Sequence, residues 1–160
     1  MRVYNQFFEQ ELFLEIYEFA KKSSYRRVND TIYAFKSNHV QGSLQVRIEK
    51  TFKEHNILGT VDILRVQRID TSIKVIDDYH RHNQIYRENL VCFLNEDFTG
   101  GEFEYKDENI NIIQPLSNTS LVFGPDLEHK VLPVTEGIRY TLVAFLTENP
   151  YINKQGKSLI

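Results

Sequence analysis

The chain has 160 residues, 41% of them hydrophobic and 26% charged, with a formal net charge of −3. That size suits one domain around a single core, and the absence of a basic footprint excludes nucleic-acid binding driven by phosphate contacts. A lone cysteine excludes an intramolecular disulfide and any zinc site built on several thiolates.

Glu9, Glu11, Glu15 and Glu18 interrupt the first twenty residues, so these do not form a secretory apolar core. No stretch approaches the roughly 18 apolar residues of a membrane span. The expectation is a soluble cytoplasmic protein with no membrane partner. Phe8, Leu12, Ile16, Phe19 and Ala20 recur at helical spacing and predict an amphipathic helix over Asn5 to Lys22, with Asn5 as N-cap. Thr31 to Phe35 reads as a short strand. Leu44, Ile48 and Phe52 predict a second helix over Gly42 to Asn56. His39 and His55 each stand alone among polar neighbours and read as surface histidines.

From Gly59 the pattern shortens. Strands are predicted at Gly59 to Ile69, Ile73 to Ile76, Leu90 to Leu94, Glu102 to Tyr105, Ile110 to Ile113, Ser120 to Phe123, Glu128 to Val134 and Ile138 to Leu146. Asp70-Thr71-Ser72, Thr99-Gly100-Gly101 and Gly124-Pro125-Asp126 supply turns between them. Helices followed by many short strands predict a mainly β fold, a jelly roll with the helices packed on one face. The chain is expected to be one domain, with a helical support region over 1–57, a jelly-roll core over 58–147 and a C-terminal tail over 148–160.

The chemistry-bearing residues fall in the second half. Residues two apart on a strand point to the same side, so His80 and His82 can share one metal ion. Neutral imidazole suits iron, zinc, copper or nickel. His129 opens a later apolar strand, and Arg139 stands on the strand after it. A guanidinium inside a barrel needs an anion, and a carboxylate is the partner it grips bidentately. The pair alone is also compatible with a solvated strand. Cys92 sits in an apolar run and reads as an inert buried thiol.

In order, the chain shows His80-Arg81-His82, then Val91-Cys92-Phe93-Leu94-Asn95, then Gly100-Gly101-Glu102. Pro115 through Phe123, His129 and Gly137-Ile138-Arg139-Tyr140 follow. This order resembles the iron(II)- and 2-oxoglutarate-dependent dioxygenases, in their prolyl 4-hydroxylase-like branch, over roughly Leu58 to Thr147. The resemblance implies a double-stranded β-helix that hydroxylates an unactivated C–H bond of a peptidyl residue or small molecule. The cofactors it implies are Fe(II), 2-oxoglutarate as co-substrate, and O2; oxidative decarboxylation of 2-oxoglutarate gives succinate and CO2. His80 and His129 would ligate the metal and Arg139 would bind the distal carboxylate of 2-oxoglutarate, with Phe93 and Thr141 as further co-substrate neighbours. The polar segment Asn83 to Asn89, carrying Tyr86 and Arg87, is expected as a loop over the mouth that contacts substrate.

His82 departs from the pattern, which has aspartate there. Three explanations stay open: a three-histidine metal site; a reversed pair in which Asp78 supplies the carboxylate; and a site that has lost activity. Two other functions remain beside the hydroxylase. One is a jelly-roll metal- or ligand-binding protein without turnover. The other is a three-histidine cupin-type dioxygenase that needs no 2-oxoglutarate, and Arg139 is the residue such a site would not require.

Overall fold

A computed structural model describes residues 1–27, 36–73 and 79–148. Among these residues two helices, α1 (Gln10–Lys22) and α2 (Gly42–Glu54), accompany twelve strands. The strands are β1 (Arg2–Tyr4), β2 (Arg26–Arg27), β3 (Lys36–His39), β4 (Thr60–Asp70), β5 (Tyr86–Phe93) and β6 (Thr99–Gly100). They continue with β7 (Phe103–Lys106), β8 (Ile110–Ile113), β9 (Thr119–Phe123), β10 (Glu128–Val131), β11 (Val134–Glu136) and β12 (Ile138–Thr147).

Every strand pair among the described residues is antiparallel. The large sheet runs β1-β9-β5-β12-β4-β3-β2; a small sheet runs β10-β7-β8, and β11 pairs with β6. This is a jelly roll, as the pattern of short strands predicts.

Side-chain alternation divides the large sheet into two faces. One presents Leu64, Val66, Leu90, Cys92, Val122, Leu142, Ala144 and Leu146, which pack in one cluster with Leu12, Phe13, Ile16, Ala20, Ile48 and Phe52 of the helices. Burying each such apolar side chain contributes roughly 1.5–3 kcal/mol, so the helices are held by their apolar stripe. On the other face Phe93, Leu121 and Phe123 meet Phe103 of the small sheet. That inter-sheet space also takes the polar and basic residues of β4 and β12.

Several elements differ from expectation for local reasons. Helix α1 begins at Gln10 rather than Asn5, because the backbone before it is committed elsewhere. Gln6 has φ 54°. Phe7 N donates to the Asn118 carbonyl (3.0 Å) and Phe8 N to Asn118 Oδ1 (2.9 Å), while Asn118 Nδ2 donates to the Phe8 carbonyl (2.8 Å). Helix α2 stops at Glu54, before Asn56 at φ 57°. The expected strand Glu128 to Val134 is broken by Leu132-Pro133, since proline has no N–H for a ladder; Leu132 N donates instead to the Glu102 carbonyl (2.9 Å). Tyr86 to Asn89 belong to β5 rather than to a loop. The expected strand Thr31 to Phe35, most of Ile73 to Ile76, Asp78 and most of the tail lie outside the described residues.

Candidate metal centre

His80 is anchored by a two-way backbone bridge. Its N–H donates to the His129 carbonyl (2.9 Å) and its carbonyl accepts from His129 N–H (3.1 Å). Two residues on, His82 N–H donates to the Pro125 carbonyl (3.2 Å), in the turn between β9 and β10. These bonds fasten the histidine pair beside the start of β10, which carries His129. Tyr79, next to His80, donates its hydroxyl to Glu104 of β7, and Glu104 also pairs with Lys130 (3.3 Å). The small sheet thus braces the histidine segment from the side.

The three imidazoles converge, with one ligating atom from each lying within 4.8 Å of the others. His82 Nε2 is 3.1 Å from His129 Nε2. Metal–nitrogen bonds of about 2.1 Å put neighbouring ligands of one ion ~3 Å apart, so this spacing fits a shared cation. His129 Nδ1 lies 2.9 Å from the Leu127 carbonyl, which can only accept. Nδ1 therefore carries the proton and Nε2 presents its lone pair to the site. Aromatic walls hold the rings: His129 stacks on Phe103 (5.2 Å, 14°), and His82 packs against Phe145 (4.6 Å).

Burial keeps His82 and His129 neutral. His82 is pushed down to about 3, first by desolvation and then by the charges of His129, His80 and Arg65. His129 is pushed down to about 4 by desolvation and by His80, against the opposing bond to Leu127. Neutral imidazole is the form that ligates a metal.

Arg139 lines the same cavity, of about 80 Å³. Its residue is 2% exposed, its Nε donates to the Gly101 carbonyl (2.9 Å), and its guanidinium lies 5.4 Å from the Phe93 ring centroid. Burial lowers its pKa to about 10, opposed by Glu102, so it stays charged at neutral pH. Its Nη2 is buried without a hydrogen-bond partner among the described residues. A buried unsatisfied donor costs roughly 1–3 kcal/mol, more when charged, so this atom calls for an acceptor from outside the chain. Thr141, two residues along β12 and opposite Phe93 in the ladder, likewise has a buried hydroxyl with no partner among the described residues.

Backbone geometry makes room for this arginine. Gly101 has φ 68°, and a Cβ there would lie 2.8 Å from Arg139 Cδ. Asn95 fixes the start of β12 by donating from Nδ2 to the Ile138 carbonyl (2.7 Å) and accepting from Tyr140 N–H at Oδ1 (2.9 Å).

The cavity thus brings together His80, His82, His129 and Arg139. Phe93 lies under the guanidinium, where its ring can offer a π face but no hydrogen bond. Tyr86 packs its ring 5.2 Å from Phe145 and donates to Asp62 Oδ2 (2.8 Å), while Arg87 is exposed. His39 is exposed, and His55 packs against Phe7, away from the cavity. Arg65 and Gln67 also line it, although sequence reasoning did not single them out. The available signal was their alternation with Leu64 and Val66, which sets them on the face opposite the helices.

A jelly roll enclosing three convergent imidazoles and a buried guanidinium offers a site for a metal ion beside an anion, the kind of site a metal-dependent oxygenase uses. Residues 62–147 match the family model described as the 2OG-Fe(II) oxygenase superfamily, and the chain belongs to that superfamily. It is a dioxygenase whose hydroxylation is coupled to 2-oxoglutarate at Fe(II), with O2 as oxidant. Among solved structures the fold is similar to a Pseudomonas putida prolyl-4-hydroxylase, at TM-score 0.73 and 13% identity over 92% of each chain. It is also similar to the viral collagen prolyl hydroxylase of Paramecium Bursaria Chlorella virus-1 in its 2OG complex, at TM-score 0.70 and 14% identity over 92% of this chain and 95% of that one. A third is a Trichoplax adhaerens prolyl hydroxylase in complex with a hypoxia inducible factor peptide fragment, at TM-score 0.68 and 14% identity over 92% and 83%. No curated protein matches the chain. Among the described residues no helix is long and apolar enough to cross a membrane.

Proposed function

We propose that His80, His82 and His129 hold the iron, that Arg139 binds the distal carboxylate of 2-oxoglutarate, and that the enzyme hydroxylates a small molecule or peptide at the cavity mouth. The observation that carries this is a buried Arg139 Nη2 with no partner among the described residues, in the same cavity as three convergent imidazoles. The donor set fits Fe(II), since imidazole nitrogens are good ligands for it and three leave positions open for co-substrate and oxygen. When bound, the iron supplies the redox chemistry that couples decarboxylation of 2-oxoglutarate to oxidation of a C–H bond.

The protein's own part is binding, orientation and exclusion of water. Arg139, steadied by Gly101 and Phe93, presents its free N–H donor to one end of the co-substrate. The unpaired Thr141 hydroxyl lies two residues further along the same strand face and supplies a second donor. Phe103, Phe123 and Phe145 surround the imidazoles and limit access of water. Histidine at position 82 leaves one less negative charge beside the metal than a carboxylate, which favours retention of a dianionic co-substrate. Arg139 also argues against a three-histidine dioxygenase working without 2-oxoglutarate, because such a site has no use for a buried guanidinium.

Calorimetric titration of the Fe(II)-loaded protein with 2-oxoglutarate under nitrogen tests the reading. Binding at one equivalent is expected, followed by succinate formation when air is admitted. A metal-loaded protein that fails to bind 2-oxoglutarate overturns it.

A further inference from the structure

The cavity contains a second guanidinium for which the chemistry above has no use. In the β12–β4 ladder Arg139 stands opposite Ile69 and Arg65 opposite Val143. The two arginines are thus four residue positions apart along one face of neighbouring strands, ~13 Å along the strand direction at the usual rise. They have different surroundings. Arg139 lies over Phe93 and bonds to Gly101. Arg65 has its Cζ 5.9 Å from the ring centroid of Phe145, and that ring packs against His82 (4.6 Å) and Tyr86 (5.2 Å). Tyr86 begins β5 and Phe93 ends it, so the arginines occupy opposite ends of the inner face, with Arg65 beside His82.

Arg65 is half-buried, and its Nε is buried without a hydrogen-bond partner among the described residues. No ion pair to Arg65 is present among the described residues; Asp62, three residues earlier, accepts from Tyr86 instead. Among the described residues, none lining the cavity is acidic. Once a divalent cation and a dianionic co-substrate have cancelled one another, two guanidinium charges remain, and Arg139 is already committed. A guanidinium poised over an aromatic ring with a free fork binds a planar anion, and its two parallel N–H groups match a carboxylate. The narrow cavity and the single guanidinium at this end favour that small anion over a phosphate group.

We propose that Arg65 binds a carboxylate of the substrate, so that the molecule hydroxylated is a free acid or a residue with its own free carboxylate, rather than a neutral internal segment of a peptide. This rests on the assignment of the histidines to iron and Arg139 to 2-oxoglutarate. Arg65 is then a specificity-determining residue at the substrate end of the cavity.

The test uses the full chain loaded with nickel(II), which imidazole binds well and which keeps the site filled without turnover, together with saturating 2-oxoglutarate. The probes are the free amino acids and N-acetyl amino acids, each paired with its amide of nearly identical shape. At least one acid is expected to bind about 10-fold or more tightly than its amide, and Arg65→Gln to weaken that acid by roughly 10- to 100-fold. Arg65→Lys, which keeps the charge but not the fork, should fall between them and serves if the glutamine variant folds poorly. Nickel and 2-oxoglutarate affinities should stay within about twofold of wild type in both variants. Acids binding no better than amides, or bound equally well without Arg65, overturn the proposal. So does a loss of 2-oxoglutarate affinity in Arg65→Gln, which assigns Arg65 to the co-substrate and leaves the hydroxylase reading intact. Failure of the wild type itself to bind 2-oxoglutarate is the separate result that removes both.

Discussion

His82 bears most directly on the proposed metal site, because it stands where the family pattern has a carboxylate. Its Nε2 lies against that of His129, and both rings are held neutral by burial. His82→Ala is expected to weaken divalent-metal binding by at least about 100-fold, since loss of a ligand exceeds the 10- to 100-fold typical of a lost supporting contact. His82→Asp should keep the metal, because it restores two histidines and a carboxylate, a set that iron accepts. Asp78→Ala should leave metal affinity unchanged. Metal titrations of the three variants check this, and a large loss in Asp78→Ala with little in His82→Ala would point to the reversed pair. Arg139 provides the matching case for the co-substrate. Arg139→Met removes a charged donor whose hydrogen bonds are worth roughly 1.5–3 kcal/mol, so 2-oxoglutarate affinity should fall about 10- to 100-fold with metal affinity retained. Equal 2-oxoglutarate affinity in wild type and variant, measured by calorimetry, would remove Arg139 from the co-substrate site.

At the scale of elements, the arginine depends on a turn and an asparagine far from it in sequence. Gly100-Gly101 turns with positive φ at both residues, and Gly101 passes so close to Arg139 that a methyl group would meet Cδ at 2.8 Å and Phe98 Cε2 at 3.0 Å. Gly101→Ala combines that contact with an unfavourable φ, and should cost about 1–3 kcal/mol in urea denaturation. The displaced arginine stem should weaken 2-oxoglutarate binding in the same variant. This arrangement also shows what could be read from sequence. The short strands, the two helical stripes and the order of His80, His82, His129 and Arg139 were legible, because period and spacing survive without tertiary information. The start of α1 was not, since Asn118 takes the backbone groups of Phe7 and Phe8 from more than a hundred residues away. Nor was the break at Pro133, because the residues on either side continue an apolar run. Arg65 and Gln67 escaped notice because polar residues alternating on a strand ordinarily face solvent. Only the second sheet, closing over that face, turns them into cavity residues.

For the molecule as a whole, the neutral histidines couple stability to pH in a direction that can be fixed in advance. Unfolded histidine titrates near 6.5, whereas in the fold His82 and His129 are pushed down to about 3 and about 4. Below pH 6.5 the unfolded chain therefore binds protons that the native chain refuses, so stability falls as pH drops. The contribution is complete above about pH 7, declines from 6.5, and is lost as pH falls through the folded values. One unit of pKa corresponds to about 1.36 kcal/mol, so by pH 5 each histidine removes at most about 2 kcal/mol from the metal-free protein. Replacing His82 by Asn should flatten the profile between pH 7 and pH 5 by up to one histidine's share. A bound metal competes with protons for the same lone pairs, but the native chain keeps His82 and His129 neutral until pH nears 4. Saturating divalent metal should therefore raise Tm by mass action, by an increment that holds between pH 7 and pH 5 and shrinks as pH falls through about 4 and about 3. Thermal denaturation with and without metal, carried from pH 7 down to about pH 3, checks both slopes. An increment that stays constant down to about pH 3 would mean that the histidines are not the ligands.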